Sequence, residues 1–274
     1  MFQQIRLPFL KYLSVSLSLL IPLLCQQVTP ELVPTVTDEA KKDSIPKEIA
    51  ADTTRIVLGI DRTDLYLPQL QDKKVALLVN QTSVQSTTQQ HLVDFLLGQE
   101  INVVKIFAPE HGFRGTADAG EQVKDGRDIL TGLPIISLYG KNKKPNTADL
   151  ADIDIVVFDI QDVGARFYTY ISSMHYMMEA CAEQEIDFLV LDRPNPNGHY
   201  LDGPILDKQH QSFVGMHPVP VVHGMTVGEY ARMINGEGWL SGGIQCSLSI
   251  VPCLHYTSDT FYELPIKPSP NLPN

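Results

Sequence analysis

The sequence predicts an α/β fold, a Rossmann-like open and mostly parallel sheet with helices on both faces. Two observations carry that expectation. Short apolar runs alternate with helix-patterned segments from Ile56 to about His255. The runs, such as Ile155–Ile160 (IVVFDI), are apolar almost throughout and do not alternate with polar residues. A strand buried on both faces reads that way, and crossover helices cover both faces of a parallel sheet.

The elements follow in order. Val75–Val79 (VALLV) is a buried strand. Gln89–Glu100 is helical, with Leu92, Val93, Leu96 and Leu97 on one face. Val103–Phe107, Pro134–Tyr139 and Ile155–Ile160 are the next strands. Tyr170–Gln184 is a helix whose Met174, Met177 and Met178 recur at helical spacing and read as core. Phe188–Asp192 is a strand, Thr226–Asn235 a helix and Ser247–Val251 a late strand. These elements lie in one domain, 56–256, without internal repeats.

The ends read differently. Arg6 and Lys11 precede a 14-residue apolar run, Tyr12–Cys25, broken by Pro22. A membrane-spanning helix needs about 20 apolar residues. A basic start with a shorter apolar run is the pattern of an export signal, so residues 1–25 are read as a signal peptide and the protein as periplasmic or cell-envelope-associated. Cys25 leaves two readings open: a lipid-attachment cysteine, or the last residue of a discarded peptide. Residues 26–55, rich in Thr, Pro, Glu and Lys without an aromatic residue, read as a flexible tether. Cys181, Cys246 and Cys253 then remain, as one bridge plus a thiol or as three free thiols. Residues 257–274 are Pro-rich and read as a linker at the start of a second domain that the chain does not contain.

The formal net charge is −11, and −13 once Arg6 and Lys11 leave with the signal. A nucleic-acid partner is therefore not expected, because such proteins need a basic footprint. A membrane contact is expected only through an N-terminal lipid or anchor. There is no G-x-G-x-x-G after a strand, no P-loop lysine motif, no G-x-S-x-G and no H-E-x-x-H, so no cofactor or metal is expected.

Chemistry must come from carboxylates with Arg, His and Tyr assisting. Open α/β sheets bind ligands outside the carboxyl ends of their strands. Four strand ends carry polar clusters there: Asn80-Gln81-Thr82-Ser83, then Glu110-His111 through Arg114, then Asp159 with Gln161, Asp162, Arg166 and Tyr168, and finally Asp192-Arg193-Pro194-Asn195. Glu110, in a loop after an apolar strand, suits general-acid work if partly desolvated. Asp159 lies in an apolar strand and needs a partner, with Arg166 and Arg193 as candidates. Glu229 is explained on spacing by the capping box Thr226-x-x-Glu229, while His223-Gly224 just before it can point into the same rim.

These segments resemble the NamZ-type exo-β-N-acetylmuramidases, bacterial glycoside hydrolases of peptidoglycan turnover. The matching stretches are Gly59-Ile60-Asp61, Val79–Thr82, Phe107–Gly115, Asp159–Tyr170, Asp192–Pro196, His223–Glu229 and Ser269–Pro273. The resemblance implies a Rossmann-like N-terminal domain holding the catalytic centre, with a smaller C-terminal domain beside the cleft. It implies release of N-acetylmuramic acid from the non-reducing end of peptidoglycan fragments, with such glycosides as partners. It makes Glu110 the catalytic glutamate and matches Glu229 to a second family acid.

Glycoside hydrolysis normally uses two carboxyl groups, about 5–5.5 Å apart for retention and about 6.5–9.5 Å for inversion. Glu110 is the expected acid, with Glu229, Asp159 or Asp162 as the second group, or assistance from the substrate's acetamido group. Arg114, Arg166 and Arg193 are candidates to hold the lactyl carboxylate. Asn80, Gln81, His111, Gln161, Tyr168, Asp192, Asn195 and His223 complete the expected substrate-binding set. Two other readings compete: a metal-assisted hydrolase using Asp159, Asp192 and His111 or His223, and an exported cell-wall-sugar-binding protein without catalysis.

Overall fold

The computed structural model describes residues 55–114 and 125–269. The expected signal with Cys25, most of the tether, and Pro270–Pro273 of the last matching stretch lie outside the described residues.

The elements are α1 (Thr63–Leu70), β1 (Val75–Val79), α2 (Leu92–Gly98), β2 (Val103–Ala108), β3 (Gly126–Arg127), β4 (Pro134–Ser137), β5 (Ile155–Asp159), α3 (Tyr170–Glu183), β6 (Asp187–Leu191), α4 (Val227–Gly236) and β7 (Leu248–Val251). They build one seven-stranded sheet in the order β3-β4-β2-β1-β5-β6-β7. Every pairing is parallel except that of β3 with β4. The chain winds outward from β1 through β2 to β4, then returns to β5 and winds the other way. The reversal falls between β1 and β5, which pair in register from Val75↔Ile155 to Val79↔Asp159. At such a switch point the two flanking loops diverge and leave a crevice.

Strand parity divides the core. Val75, Leu77, Val79, Ile155, Val157, Leu189 and Leu191 pack against Tyr66 and Leu70 of α1 and Leu92, Val93 and Leu96 of α2. Ala76, Leu78, Val156, Phe158, Phe188 and Val190 face Met174, Met177 and Met178 of α3 and Tyr230, Ala231 and Ile234 of α4. The methionines are therefore core, as their spacing predicts.

Two elements were not legible in the sequence. α1 is short and contains Pro68, which breaks the usual pattern. β3 has two residues, too few to show any period. Cys181, Cys246 and Cys253 are free thiols. Among the described residues no helix is long and apolar enough to cross a membrane. The Pro-rich tail, read as a linker, folds back on the sheet's rim as far as Ser269: Leu264, Pro268 and Ser269 are buried.

Parity also places charge. Asp159 continues the α1/α2 face of β5 and is 0% exposed; Arg193, just past β6, is 2% exposed. Arg193 grips Asp159 with two hydrogen bonds, Nε to Oδ1 at 2.6 Å and Nη2 to Oδ2 at 2.9 Å. Nη2 also reaches the Val84 carbonyl at 3.3 Å. Burial works against the guanidinium charge, and the Asp159 carboxylate more than offsets that, so Arg193 holds its proton more firmly than a free arginine. Removing one partner strands a buried charge. Arg193→Met is expected to lower the unfolding free energy by about 3–5 kcal/mol, measured by urea denaturation, and Arg193→Met/Asp159→Leu to recover most of the loss.

Candidate active site

Four loops meet above the switch point, after β1, β2 and β5 and before α4. After β1, Asn80 Oδ1 accepts from the Thr82 amide at 2.9 Å and the Thr82 hydroxyl at 2.6 Å, making a tight turn. The Thr82 hydroxyl in turn accepts from the Gln161 amide at 2.9 Å, so the β1 and β5 loops are laced together. Gln161 Nε2 donates to the Asp162 and Pro194 carbonyls, both at 2.7 Å. Asp162 Oδ2 accepts from the Gly164 amide at 2.8 Å and lies 3.8 Å from His223 Nε2. Gly164 holds this loop at φ 74, where a side chain would also strike Asn195 Oδ1.

The polar atoms left over are the informative ones. Asn80 Nδ2, Gln81 Oε1, Gln161 Oε1, Asp162 Oδ1 and His223 Nε2 are buried without a hydrogen-bond partner among the described residues. Buried polar atoms are nearly always paired, and leaving one unpaired costs about 1–3 kcal/mol. Five of them around one switch point mark a surface shaped for a polar ligand.

Glu110 stands at one side of this cluster, half-buried in the turn after β2. Its Oε2 accepts from the Thr169 hydroxyl at 3.0 Å. Burial raises the Tyr139 phenol's pKa, and the adjacent Glu110 carboxylate, hydrogen-bonded to it, raises it further. Tyr170 links the two sides: burial raises its pKa, and the charges of Asp162 and Glu110 both act on it. Its hydroxyl donates to the Pro268 carbonyl at 2.6 Å, and Gln81 Nε2 reaches that carbonyl at 3.2 Å. The chain's own tail therefore forms part of the rim. Tyr139, Thr169, Tyr170 and Pro268 were not foreseen, because each sits at an element end with no motif around it.

Several expected residues are spent elsewhere. Asp159 and Arg193 close on each other, and Arg193 lines a separate cavity with Val84 and Tyr262. Asp192 is an α4 fastener: its oxygens accept from the Gly228 amide at 2.8 Å, the Thr226 hydroxyl at 2.9 Å and the Arg193 amide at 2.9 Å. Burial pushes its pKa up to about 6. Asn195 braces loops, donating to the Met225 carbonyl at 2.9 Å and accepting from the Asn197 amide at 2.8 Å. Arg114 lies over the Phe113 ring and pairs with Asp128 at 3.1 Å. Arg166 Nη1 donates to the Pro204 carbonyl at 3.0 Å and to that of Val219. Arg114 and Arg193 are each held by a carboxylate, whereas Arg166 is held only by carbonyls at Nη1 and keeps its buried Nε without a hydrogen-bond partner among the described residues. His111 is buried in a left-handed turn at φ 71, and Tyr168 is half-buried beside Tyr170.

Glu229 is exposed and completes the capping box, its Oε2 accepting from the Thr226 amide at 2.9 Å while the Thr226 hydroxyl accepts from the Glu229 amide at 3.1 Å. It enters α4 beside Asp192, at the end of β6. Glu229 thus serves as a helix cap, three strands along the sheet from the strand that leads to Glu110, while Asp162 follows β5, two strands along. Among the described residues no three His, Cys, Asp or Glu side chains gather to hold a metal ion.

Behind His223 runs a buried hydrogen-bonded line. His223 packs edge-on against Tyr230, whose hydroxyl meets His217 Nδ1 at 3.1 Å; His217 Nε2 meets His175 Nδ1 at 2.9 Å, and His175 Nε2 lies 3.7 Å from Glu179. One direction of donation, from Tyr230 towards Glu179, serves every contact when both histidines are neutral.

An open α/β protein is thus defined, with unpartnered amide and carboxyl atoms at its switch point and a cavity beside Glu110. The chain belongs to the family described as exo-beta-N-acetylmuramidase NamZ, N-terminal, which matches residues 75–274. It is similar to the peptidoglycan beta-N-acetylmuramidase NamZ of Bacillus subtilis (strain 168), 44% identical over 234 residues, covering 83% of this chain and 55% of that protein. It is also similar to the crystal structures of two DUF1343 family proteins from Bacteroides fragilis NCTC 9343. One is 50% identical with a TM-score of 0.73, over 80% of this chain and 58% of that one. The other is 39% identical with a TM-score of 0.69, over 76% and 52%. The chain spans between 52% and 58% of the length of these relatives.

Two outcomes follow from the geometry. Glu229→Ala removes half of the capping box and is expected to lower stability by about 1 kcal/mol, read from denaturant midpoints. Burial first, then the neighbouring His175 and His223, pushes the His217 pKa down to about 3. The unfolded chain protonates His217 near pH 6.5, so between those values the unfolded state binds more protons and stability falls as pH falls. Against a His217→Gln variant, the wild-type chain is expected to lose up to about 1.4 kcal/mol per pH unit below 6.5; parallel pH profiles would contradict this.

Proposed function

We propose that this chain carries the catalytic crevice of an exo-acting β-N-acetylmuramidase, which releases N-acetylmuramic acid from the non-reducing end of peptidoglycan fragments. The observation that carries the reading is Glu110: a carboxyl in a cavity beside a cluster of buried amide and carboxyl atoms that lack partners among the described residues. The N-terminal pattern supports an exported, envelope-located protein, either released or held by a lipid on Cys25.

Glu110 acts as general acid on the leaving oxygen. The Thr169 and Tyr139 hydroxyls fix its carboxyl. Asp162 is the second carboxyl, its Oδ1 buried without a partner among the described residues and its Oδ2 held by the Gly164 amide. It serves either as the base for water or as the partner that orients the substrate's acetamido group in an assisted reaction. Asn80, Gln81, Gln161 and His223 bind the sugar's hydroxyl and amide groups through their unpaired atoms. A metal-assisted hydrolase fits less well, because Asp159 is closed on Arg193 and Asp192 holds α4.

Glu110→Gln keeps the shape and removes the proton. Hydrolysis of a chromogenic N-acetylmuramic acid glycoside by this variant is expected to fall at least about 100-fold, the usual reach of general-acid catalysis. Undiminished hydrolysis would remove Glu110 from the role.

A further inference from the structure

We infer that Lys141 and Lys143, in the cavity beside Glu110, bind the carboxylate of an acidic amino sugar, the lactyl group that distinguishes N-acetylmuramic acid from N-acetylglucosamine. This deepens the reading above and rests on it for the identity of the sugar.

The cavity has a volume of about 460 Å³ and is lined chiefly by Glu110, Tyr139, Lys141, Lys143, Phe213 and Val214. That is within the range of small-molecule sites, about 300–1,000 Å³. In a chain of net charge −11, an anionic ligand meets general repulsion, and Glu110 on the cavity wall adds to it. A local cation must offset both. Of the arginines that the sequence offered for this, Arg114 is paired with Asp128 and Arg193 with Asp159, and Arg166, bonded at Nη1 to backbone carbonyls, does not line this cavity. Lys141 and Lys143 are not ion-paired to any acid among the described residues, while their neighbour Lys144 is, at 2.7 Å to both Glu179 and Glu183.

The surroundings are built to present these two ammonium groups. Lys144 pins the Lys141–Lys144 loop to α3. Phe213 is held from behind by Tyr176, stacked at 6.0 Å and 8°, and by the Ser172 hydroxyl, which donates to the Phe213 carbonyl at 2.7 Å. Lys143 Nζ lies 4.3 Å from the centre of the Phe213 ring, whose face attracts the cation and limits where it can go. Phe213 and Val214 offer an apolar wall beside the charges, suited to the methyl group and ring face of the sugar. An ammonium is a compact charge on a flexible stem, suited to a carboxylate on a rotatable ether.

The test is a binding comparison on the 274-residue chain. Free N-acetylmuramic acid and free N-acetylglucosamine are titrated by calorimetry against the wild-type chain, Lys141→Ala/Lys143→Ala and Lys143→Arg, with thermal unfolding as a fold control. The wild-type chain is expected to prefer N-acetylmuramic acid at least tenfold, the double variant to lose that preference, and Lys143→Arg to keep most of it. If the double variant proves unfolded, Lys141→Ala, at an exposed position, must by itself cut the preference several-fold. An unchanged preference in the folded double variant, or no preference in the wild-type chain, overturns the assignment. Because the readout is a binding ratio, it stands apart from the loss of hydrolysis in Glu110→Gln: either result can fail while the other holds.

Discussion

A guanidinium and a carboxylate buried together above the sheet impose the main constraint on this molecule. Neither Asp159 nor Arg193 can be charged there alone, so the loops after β5 and β6 must lie where the two meet side-on. Arg193 also takes the Val84 carbonyl, and the Ser83 hydroxyl donates to the Asp159 carbonyl, so the loop after β1 is drawn into the same knot. The central strand ends of the sheet are thereby locked in register. The crevice at the switch point is the gap that remains among locked loops, which is why its lining can be polar and still ordered.

Strand parity then separates the acids that the core consumes from those that it does not. Asp159 falls on the α1/α2 side of β5 and is consumed by Arg193. Asp192 falls on the α3/α4 side of β6, where the Gly228 amide and the Thr226 hydroxyl consume it as α4 begins. A side chain at Gly228 would come within 2.8 Å of the Asp192 carboxyl carbon, so that closeness depends on glycine. Glu110 and Asp162 lie beyond the strands, in turns, and parity does not bind them to the core. Asp162 keeps Oδ1 without a partner among the described residues. The buried line from His223 through Tyr230, His217 and His175 gives the Asp162 side of the crevice a rigid backing, with Trp239 stacked on His217.

The tail adds a further element. Pro268 has no amide hydrogen to satisfy, and its carbonyl takes both the Tyr170 hydroxyl and the Gln81 amide. A Pro-rich segment loses little entropy on docking, which suits it to lie extended across a rim. The crevice is thus bounded by sequence more than 180 residues from its first loop.

The amino-acid sequence determined the layered α/β fold, because uninterrupted apolar strands and one-sided helices have few other ways to bury their surface. It also determined which strand ends are polar, that Glu110 lies in a loop, and that Thr226 and Glu229 cap a helix, since all of these depend on neighbours in the chain. It could not determine which of the acids and arginines would meet. Asp159 with Arg193, Asp192 with α4, and Arg114 with Asp128 are contacts between residues far apart or on different elements, and only the folded chain decides which charge spends another. The lysines beside Glu110 were hidden for the same reason: Lys141-Asn142-Lys143-Lys144 reads as a solvated run until tertiary contacts tie down Lys144 and leave the other two at the cavity.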